Sequence, residues 1–225
     1  MDYASHPTRR RFLAGSASLG ALALAGCTTT TPQEETAKID PISSSYKLMY
    51  GPLPDEKFPI PAVDLSRVPS KFYRRQVDYF GPEPPGTVVV DTSQFYLYLV
   101  QENRRATRYG VGLGRAGFEW SGRARIAWKQ EWPKWTPPAS MIEREPELEQ
   151  WSAANGGMPP GLNNPLGARA LYIFEGNIDT LYRVHGSPEY WTIGKAVSSG
   201  CVRMMNQDAI DLYNRVPTRS QILVI

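Results

Sequence analysis

The chain has 225 residues, of which 41% are hydrophobic and 11% aromatic, enough for one sizeable core and too few for two full domains. Its formal charge of +3 falls close to zero beyond the leader, because Arg9, Arg10, Arg11 and Asp2 lie within it and 22 basic and 21 acidic side chains remain. A near-neutral body gives no electrostatic case for binding nucleic acid.

At the N-terminus, Thr8-Arg9-Arg10-Arg11-Phe12-Leu13-Ala14 sets a basic cluster ahead of an apolar run from Phe12 to Gly26. The run spans 15 residues. That is short of the roughly 20 a helix needs to cross hydrocarbon, so it reads as a signal peptide. The arginine pair before Phe12-Leu13 resembles a twin-arginine export signal, a general secretory signal being the alternative. Leu24-Ala25-Gly26-Cys27 resembles a bacterial lipoprotein box, in which the cysteine is acylated and becomes the new N-terminus. An ordinary cleavage site with an incidental cysteine, or an uncleaved anchor, is the alternative. Acylation at Cys27 implies a periplasmic protein held on a membrane surface by its lipid. Thr28, in place of the aspartate that marks inner-membrane retention in some bacteria, favours the outer membrane.

Residues 28–85 read as a tether and an arm. Thr28 to Lys38 is polar without an apolar period, as a flexible linker would be. From Ile39 to Pro85 frequent prolines favour extended backbone without ladder donors. Lys71 to Phe80 interrupts them with aromatics suited to docking on a larger body.

Residues 86–225 read as the catalytic domain. Thr87 to Asp91 is β-branched, Gln94 to Gln101 alternates, and Ala106 to Leu113 returns as an antiparallel partner after a turn at Glu102-Asn103-Arg104. Another strand is expected over Ala124 to Gln130. Between Trp132 and Gly167 the pattern breaks into Pro, Gly and Trp, with a short helix around Ile142 to Trp151; so long a connection is usually functional. Strands resume at Arg169 to Phe174 and Leu181 to His185. A helix starts at Asn206, with Asn206 as its cap, Asp208 at the positive end of its dipole and Ala209, Ile210, Tyr213 and Val216 as its apolar stripe. Gln221 to Ile225 closes the chain as a strand. The class expected is mainly β, a β-sandwich or barrel-like fold with one or two short helices.

The chemistry concentrates in few residues. Cys27 and Cys201 are the two cysteines, and His6 and His185 the two histidines. Pairing Cys27 with Cys201 is the default for an exported protein, but acylation would consume Cys27 and leave Cys201 a free thiol. His6 precedes the leader, so a Cys/His metal site is poorly supplied and no cofactor is called for. His185 ends a strand before Gly186-Ser187-Pro188, where its ring can project into a cleft. Sixteen residues later, Gly200 before Cys201 allows a tight turn and close approach of a substrate, with backbone amides near both facing a developing oxyanion. A thiol of ordinary pKa about 8.5 needs a base or nearby positive charge to ionise at neutral pH. His185 supplies the base. Arg203 can stabilise the thiolate or grip a carboxylate. A buried structural cysteine, a core histidine and a surface ion pair are the alternatives on spacing alone.

His185-Gly186, Trp191, Ile193-Gly194 and Ser198-Ser199-Gly200-Cys201-Val202-Arg203-Met204 together resemble the active-site signature of the L,D-transpeptidase catalytic (YkuD) family. The resemblance extends through Asn164-Pro165-Leu166-Gly167, Tyr109 to Gly114 and Pro133 to Pro138. It implies a β-sandwich that performs acyl transfer on peptidoglycan stem peptides. Cys201 would attack the carbonyl before the terminal D-alanine of a tetrapeptide stem, expel D-alanine and form a thioester that an acceptor amine resolves, giving a 3-3 cross-link or an envelope protein joined to the wall. His185 would serve as base and then acid, oriented by a backbone carbonyl. Arg203, Ser199, Gly186 and Trp191 are assigned to substrate binding; Tyr172 and Trp191 are candidates to line the cleft, with core packing as the alternative. Many members carry a second histidine where this chain has Ser199. A hydrolase using water as acceptor, and a non-catalytic wall-binding lipoprotein, are the competing functions.

Overall fold

Strands form where β-branched and aromatic residues recur with alternating exposure, a pattern that fits a half-buried pleat. The computed structural model describes residues 42–114, 121–198 and 200–225, so the leader, Cys27, the tether and Ser199 lie outside it. The strands are β1 (Arg75–Asp78), β2 (Val88–Asp91), β3 (Tyr96–Gln101), β4 (Arg105–Gly110), β5 (Leu113–Gly114), β6 (Gly122–Glu131), β7 (Arg169–Glu175), β8 (Ile178–Ser187), β9 (Ala196–Ser198), β10 (Val202–Met205) and β11 (Gln221–Val224). Three α-helices accompany them: α1 (Ser44–Met49), α2 (Ala139–Arg144) and α3 (Asn206–Arg215).

Nine strands join in one mixed sheet, in the order β1-β4-β3-β2-β11-β6-β7-β8-β10, and β5 pairs with β9 separately. The sheet curls, because the segment following β4 returns to its far end: Gly112 and Arg203 exchange backbone hydrogen bonds of 2.9 and 2.7 Å. The mainly β class is therefore observed, its halves belonging to one continuous sheet. The main core lies inside the curl, where Val88, Val90, Leu97, Tyr109, Ile126, Leu171, Val184 and Met204 are buried with Ala209 and Leu212 of α3. Each such aliphatic side chain contributes about 1.5–3 kcal/mol by leaving water.

Two expectations for the helices are corrected. Asn206 does not cap α3. Met205 occupies that position, and Asn206 Oδ1 instead accepts from the Ala168 amide at 2.9 Å, tying the helix to the start of β7. The expected helix over Ile142 to Trp151 divides into α2 and a 3-10 turn over Pro146–Trp151, because Pro146 lacks the amide needed to continue the first. The long connection around them is knotted by Asn164, whose side-chain amide donates to the carbonyls of Pro133, Met158 and Pro159 while its oxygen accepts from Leu166.

Residues 42–85 pack closely on the sheet. Tyr50, Leu65, Val68, Phe72 and Tyr73 form a second core with Tyr96, Ile193 and Met205. Two buried polar joints fix them. Tyr50 donates from its hydroxyl to Asp208 at 3.1 Å and accepts from the Arg74 amide at 2.6 Å, while the Arg74 guanidinium pairs with Asp211 at 2.9 Å. Asp208, in the first turn of α3 as expected, is fully buried, and burial outweighs the attraction of Arg74, so its carboxyl is pushed up to about 7. Farther along, Glu56 binds Arg169 through two guanidinium nitrogens at 2.7 and 3.0 Å and accepts from the Trp132 indole at 2.9 Å.

Arg169 is almost wholly buried, so removing its partner leaves an uncompensated charge. Glu56→Ala is expected to lower stability by about 3 kcal/mol, read as a fall in urea midpoint with unchanged slope. Glu56→Gln, which keeps hydrogen-bond acceptance, should lose less.

Candidate active site

The placement of Cys201 and His185 begins with alternation. Val184 in β8 and Val202 and Met204 in β10 turn into the core, so Arg183, His185 and Arg203 face the opposite side of the sheet, and Cys201, one residue before β10, continues that phase. β10 runs parallel to β8, with Val202 opposite Val184 and Arg203 opposite His185. The pairing sets Cys201 alongside Arg183 and brings it to the strand that carries His185. Gly200, just before the thiol, is buried with φ +131°, a conformation open to glycine and strained for other residues.

His185 is buried and its ring is fixed by a local contact. Its Nδ1–H donates to the Gly186 carbonyl at 2.5 Å. A carbonyl can only accept, so Nδ1 carries the proton and Nε2 the free lone pair. The backbone carbonyl expected to orient the ring is thus Gly186 O. Gly186 itself is buried, and a β-carbon there would collide with Asn206 Oδ1, so its role in the structure is to pack and to hold His185.

The remaining expected positions divide. Arg203 donates to Glu189 at 2.6 Å, which engages its guanidinium. Trp191 is half-buried, edge-on to Tyr190 and covered by the Arg67 guanidinium at 4.3 Å, a neighbour from the N-terminal arm. Tyr172 lies opposite Arg183 in the β7–β8 register, on the strand next to the one that pairs with the cysteine segment. A cavity of about 470 Å³ opens beside Tyr172 and Trp128, with Lys57 and Lys134 on its wall. Among the described residues no three His, Cys, Asp or Glu side chains converge as metal ligands.

Two irregularities shape this face, and alternation could not reveal them. Between Ile126 and Trp128 the β6–β7 register shifts, so Trp128 leaves the core phase of Ile126 and stacks on Tyr172 at 3.8 Å, 42% exposed. In β8 two additional residues loop out between Asp179 and Arg183, putting Leu181 at φ +64°. The loop aims the Leu181 carbonyl at Cys201, whose thiol donates to it at 3.9 Å. Asp179 and Thr180 brace it, accepting from the amides of Leu181 and Tyr182 at 2.8 and 3.2 Å.

With this geometry in hand, the pattern that defines the L,D-transpeptidase catalytic domain (YkuD) matches residues 85–224. The chain belongs to that family. Among its relatives, Probable L,D-transpeptidase ErfK/SrfK of Escherichia coli K12 is 30% identical over 141 residues, 61% of this chain and 43% of that protein. Probable L,D-transpeptidase YbiS of the same strain is 31% identical over 144 residues, 61% of this chain and 44% of that one. The chain thus spans less than half the length of these relatives. A solved structure described as a probable carnitine operon oxidoreductase from Brucella melitensis is 42% identical, with a TM-score of 0.50, over 72% of this chain and 99% of that one.

In this L,D-transpeptidase domain burial moves His185 and Cys201 in opposite directions. Burial, with Arg203 and Arg183 adding repulsion, pushes His185 down to about 4 despite its bond to Gly186 O. Burial also pushes the Cys201 thiol up, against the Arg183 amide and the charges of Arg183 and Arg203. Near neutral pH both groups are uncharged. A histidine of ordinary pKa 6.5 depressed to about 4 stabilises the fold fully above 6.5 and loses that contribution as pH falls toward 4. The loss amounts to about 3 kcal/mol. His185→Gln should therefore narrow its stability gap with the parent between pH 6.5 and 4, as measured by urea titration at each pH.

Proposed function

We propose that the protein is a peptidoglycan L,D-transpeptidase with Cys201 as nucleophile and His185 as its base and acid. The observation that carries this reading is the ring of His185: Nδ1–H is committed to Gly186 O, which leaves Nε2 as the acceptor on the strand that pairs with the cysteine segment. Substrate binding brings a carbonyl to Cys201, the thiol proton passes to His185 Nε2, and the sulfur adds to the carbonyl carbon. Backbone amides at Gly200 and Cys201 receive the oxyanion. Collapse breaks the amide bond; His185 returns its proton to the leaving D-alanine amine and a thioester remains. An acceptor amine, deprotonated by the same Nε2, then attacks the thioester and releases the thiol. Export with acylation of Cys27 would place this chemistry in the periplasm on a lipid anchor, the outer membrane being favoured by Thr28, and the acceptor would be a second stem peptide or an envelope protein.

A carbapenem should add once, covalently, to Cys201 in intact-mass spectra, and Cys201→Ala should abolish the adduct. Absence of an adduct on the parent chain at stoichiometric drug would overturn the nucleophile assignment. With tetrapeptide muropeptides the purified protein is expected to form dimers, whereas shortened monomers would make it a hydrolase. His185→Ala should slow either reaction by about 10²–10⁴-fold.

A further inference from the structure

Four adjacent strands place a row of side chains on the face that carries the thiol. Trp128 in β6 is registered with Tyr172 in β7, and Tyr172 with Arg183 in β8; Cys201 follows, beside Arg183 at the start of β10. The first three touch in sequence. Trp128 and Tyr172 stack at 3.8 Å with 19° between their planes, and the Arg183 guanidinium lies 4.3 Å from the Tyr172 ring centre. Asp179 fastens the guanidinium from the other side, with both carboxylate oxygens accepting at 2.7 Å. This grip exists because the β8 loop places residues 179 and 183 within reach, which a regular strand would keep about 13 Å apart. Other ionisable groups on this face are His185 from β8, Arg203 from β10, already bound to Glu189, the Tyr172 phenol, and Lys57, Glu131 and Lys134 around the cavity beside Tyr172.

We propose that Arg183 is the charge that sets how readily Cys201 ionises, with Asp179 and Tyr172 as positioning residues that hold and moderate it. A guanidinium clamped in two directions cannot swing away when the thiolate forms, so its field is present before the proton leaves and requires no reorganisation. Burial raises the Cys201 thiol, while Arg183, through its amide as well as its charge, and Arg203 favour the thiolate; Asp179 opposes both. Arg183 thereby joins Arg203, which the sequence names as a stabiliser of the thiolate. Tyr172 holds the plane of the cation by stacking.

The inference rests on Cys201 being the nucleophile, and its test separates the two claims. The full chain is alkylated with iodoacetamide from about pH 6 to the alkaline limit at which the fold persists, and the rate of modification at Cys201, read as a displacement of the profile along the pH axis, is followed by peptide mass spectrometry, which distinguishes it from Cys27. Arg183→Gln should raise the midpoint of the rate profile by about one pH unit, a tenfold loss of thiolate at neutral pH. Asp179→Asn should lower it by about half a unit. Arg183→Lys, which keeps the charge, should stay close to the parent and guards against misfolding of the glutamine variant. Shifts of opposite sign are the signature of charge, since general loosening of the site would move both variants the same way. Unmoved midpoints, or shifts of one sign, in folded variants would overturn the role of Arg183 while leaving the nucleophile intact. A parent Cys201 that resists both alkylation and carbapenem would instead overturn the underlying reading.

Discussion

Parallel pairing of β8 with β10 in a single register is the constraint on which the rest of the site depends. A one-residue slip would exchange the faces of the strand, sending Arg203 inward and Val202 out. The register is fixed from both sides. Val184, Val202 and Met204 must enter the core, and Gly112 must exchange two backbone bonds with Arg203 where the sheet curls on itself. Asn206, directly after β10, adds a third restraint by gripping the Ala168 amide. Packing that looks purely structural thus determines which side chains share a face with the thiol.

Burial of the reactive pair has a thermodynamic side. Low-dielectric surroundings disfavour the imidazolium and the thiolate alike, so the pair rests uncharged. In the proposed reaction the charge separation is delayed until a substrate carbonyl and its oxyanion donors can share it. Fixed cations on the thiol side of the row then matter more than they would in water, because little solvent competes with them. The same logic explains why the ring needs only a carbonyl to orient it: a carboxylate at Nδ1 would favour the imidazolium and raise its pKa, whereas Gly186 O selects the tautomer without adding a full charge.

Much of this was legible in the chain. Alternation located β2, β3, β6, β7, β8 and β11 to within a few residues, and the string from His185 through Ser198 to Met204 singled out the two strands that the structure pairs, β8 and β10. What escaped has a common physical origin. Bulges change the phase of a strand without changing its composition, so Trp128 and Leu181 carried no sign of their displacement. Arg183 looked like an ordinary strand residue because its partner Asp179 should have been out of reach; the available hint was their four-residue spacing beside a non-glycine at positive φ, which only coordinates reveal. Asn206 and Asp208 matched a helix start so well that local rules hid their long-range partners, Ala168 and Tyr50. Trp191 and Arg203 were read from the signature as substrate contacts, while of the neighbours that engage them Arg67 lies far upstream and Glu189 falls within its span but is not one of its residues.

The position of β11 bears on how such a chain reaches its native state. The last strand lies between β2 and β6 and pairs with both, so apart from the contacts of residues 112–114 with β9 and β10 the two halves of the sheet are not joined until residues 221–224 arrive. The N-terminal arm waits equally long, since Tyr50 finds its carboxylate partner 158 residues later. Contacts of such separation are costly in loop entropy and slow to form. A chain emerging from its N-terminus would therefore carry open strand edges along most of its length and close them nearly at once, which makes the interval before closure its period of greatest exposure to aggregation and proteolysis.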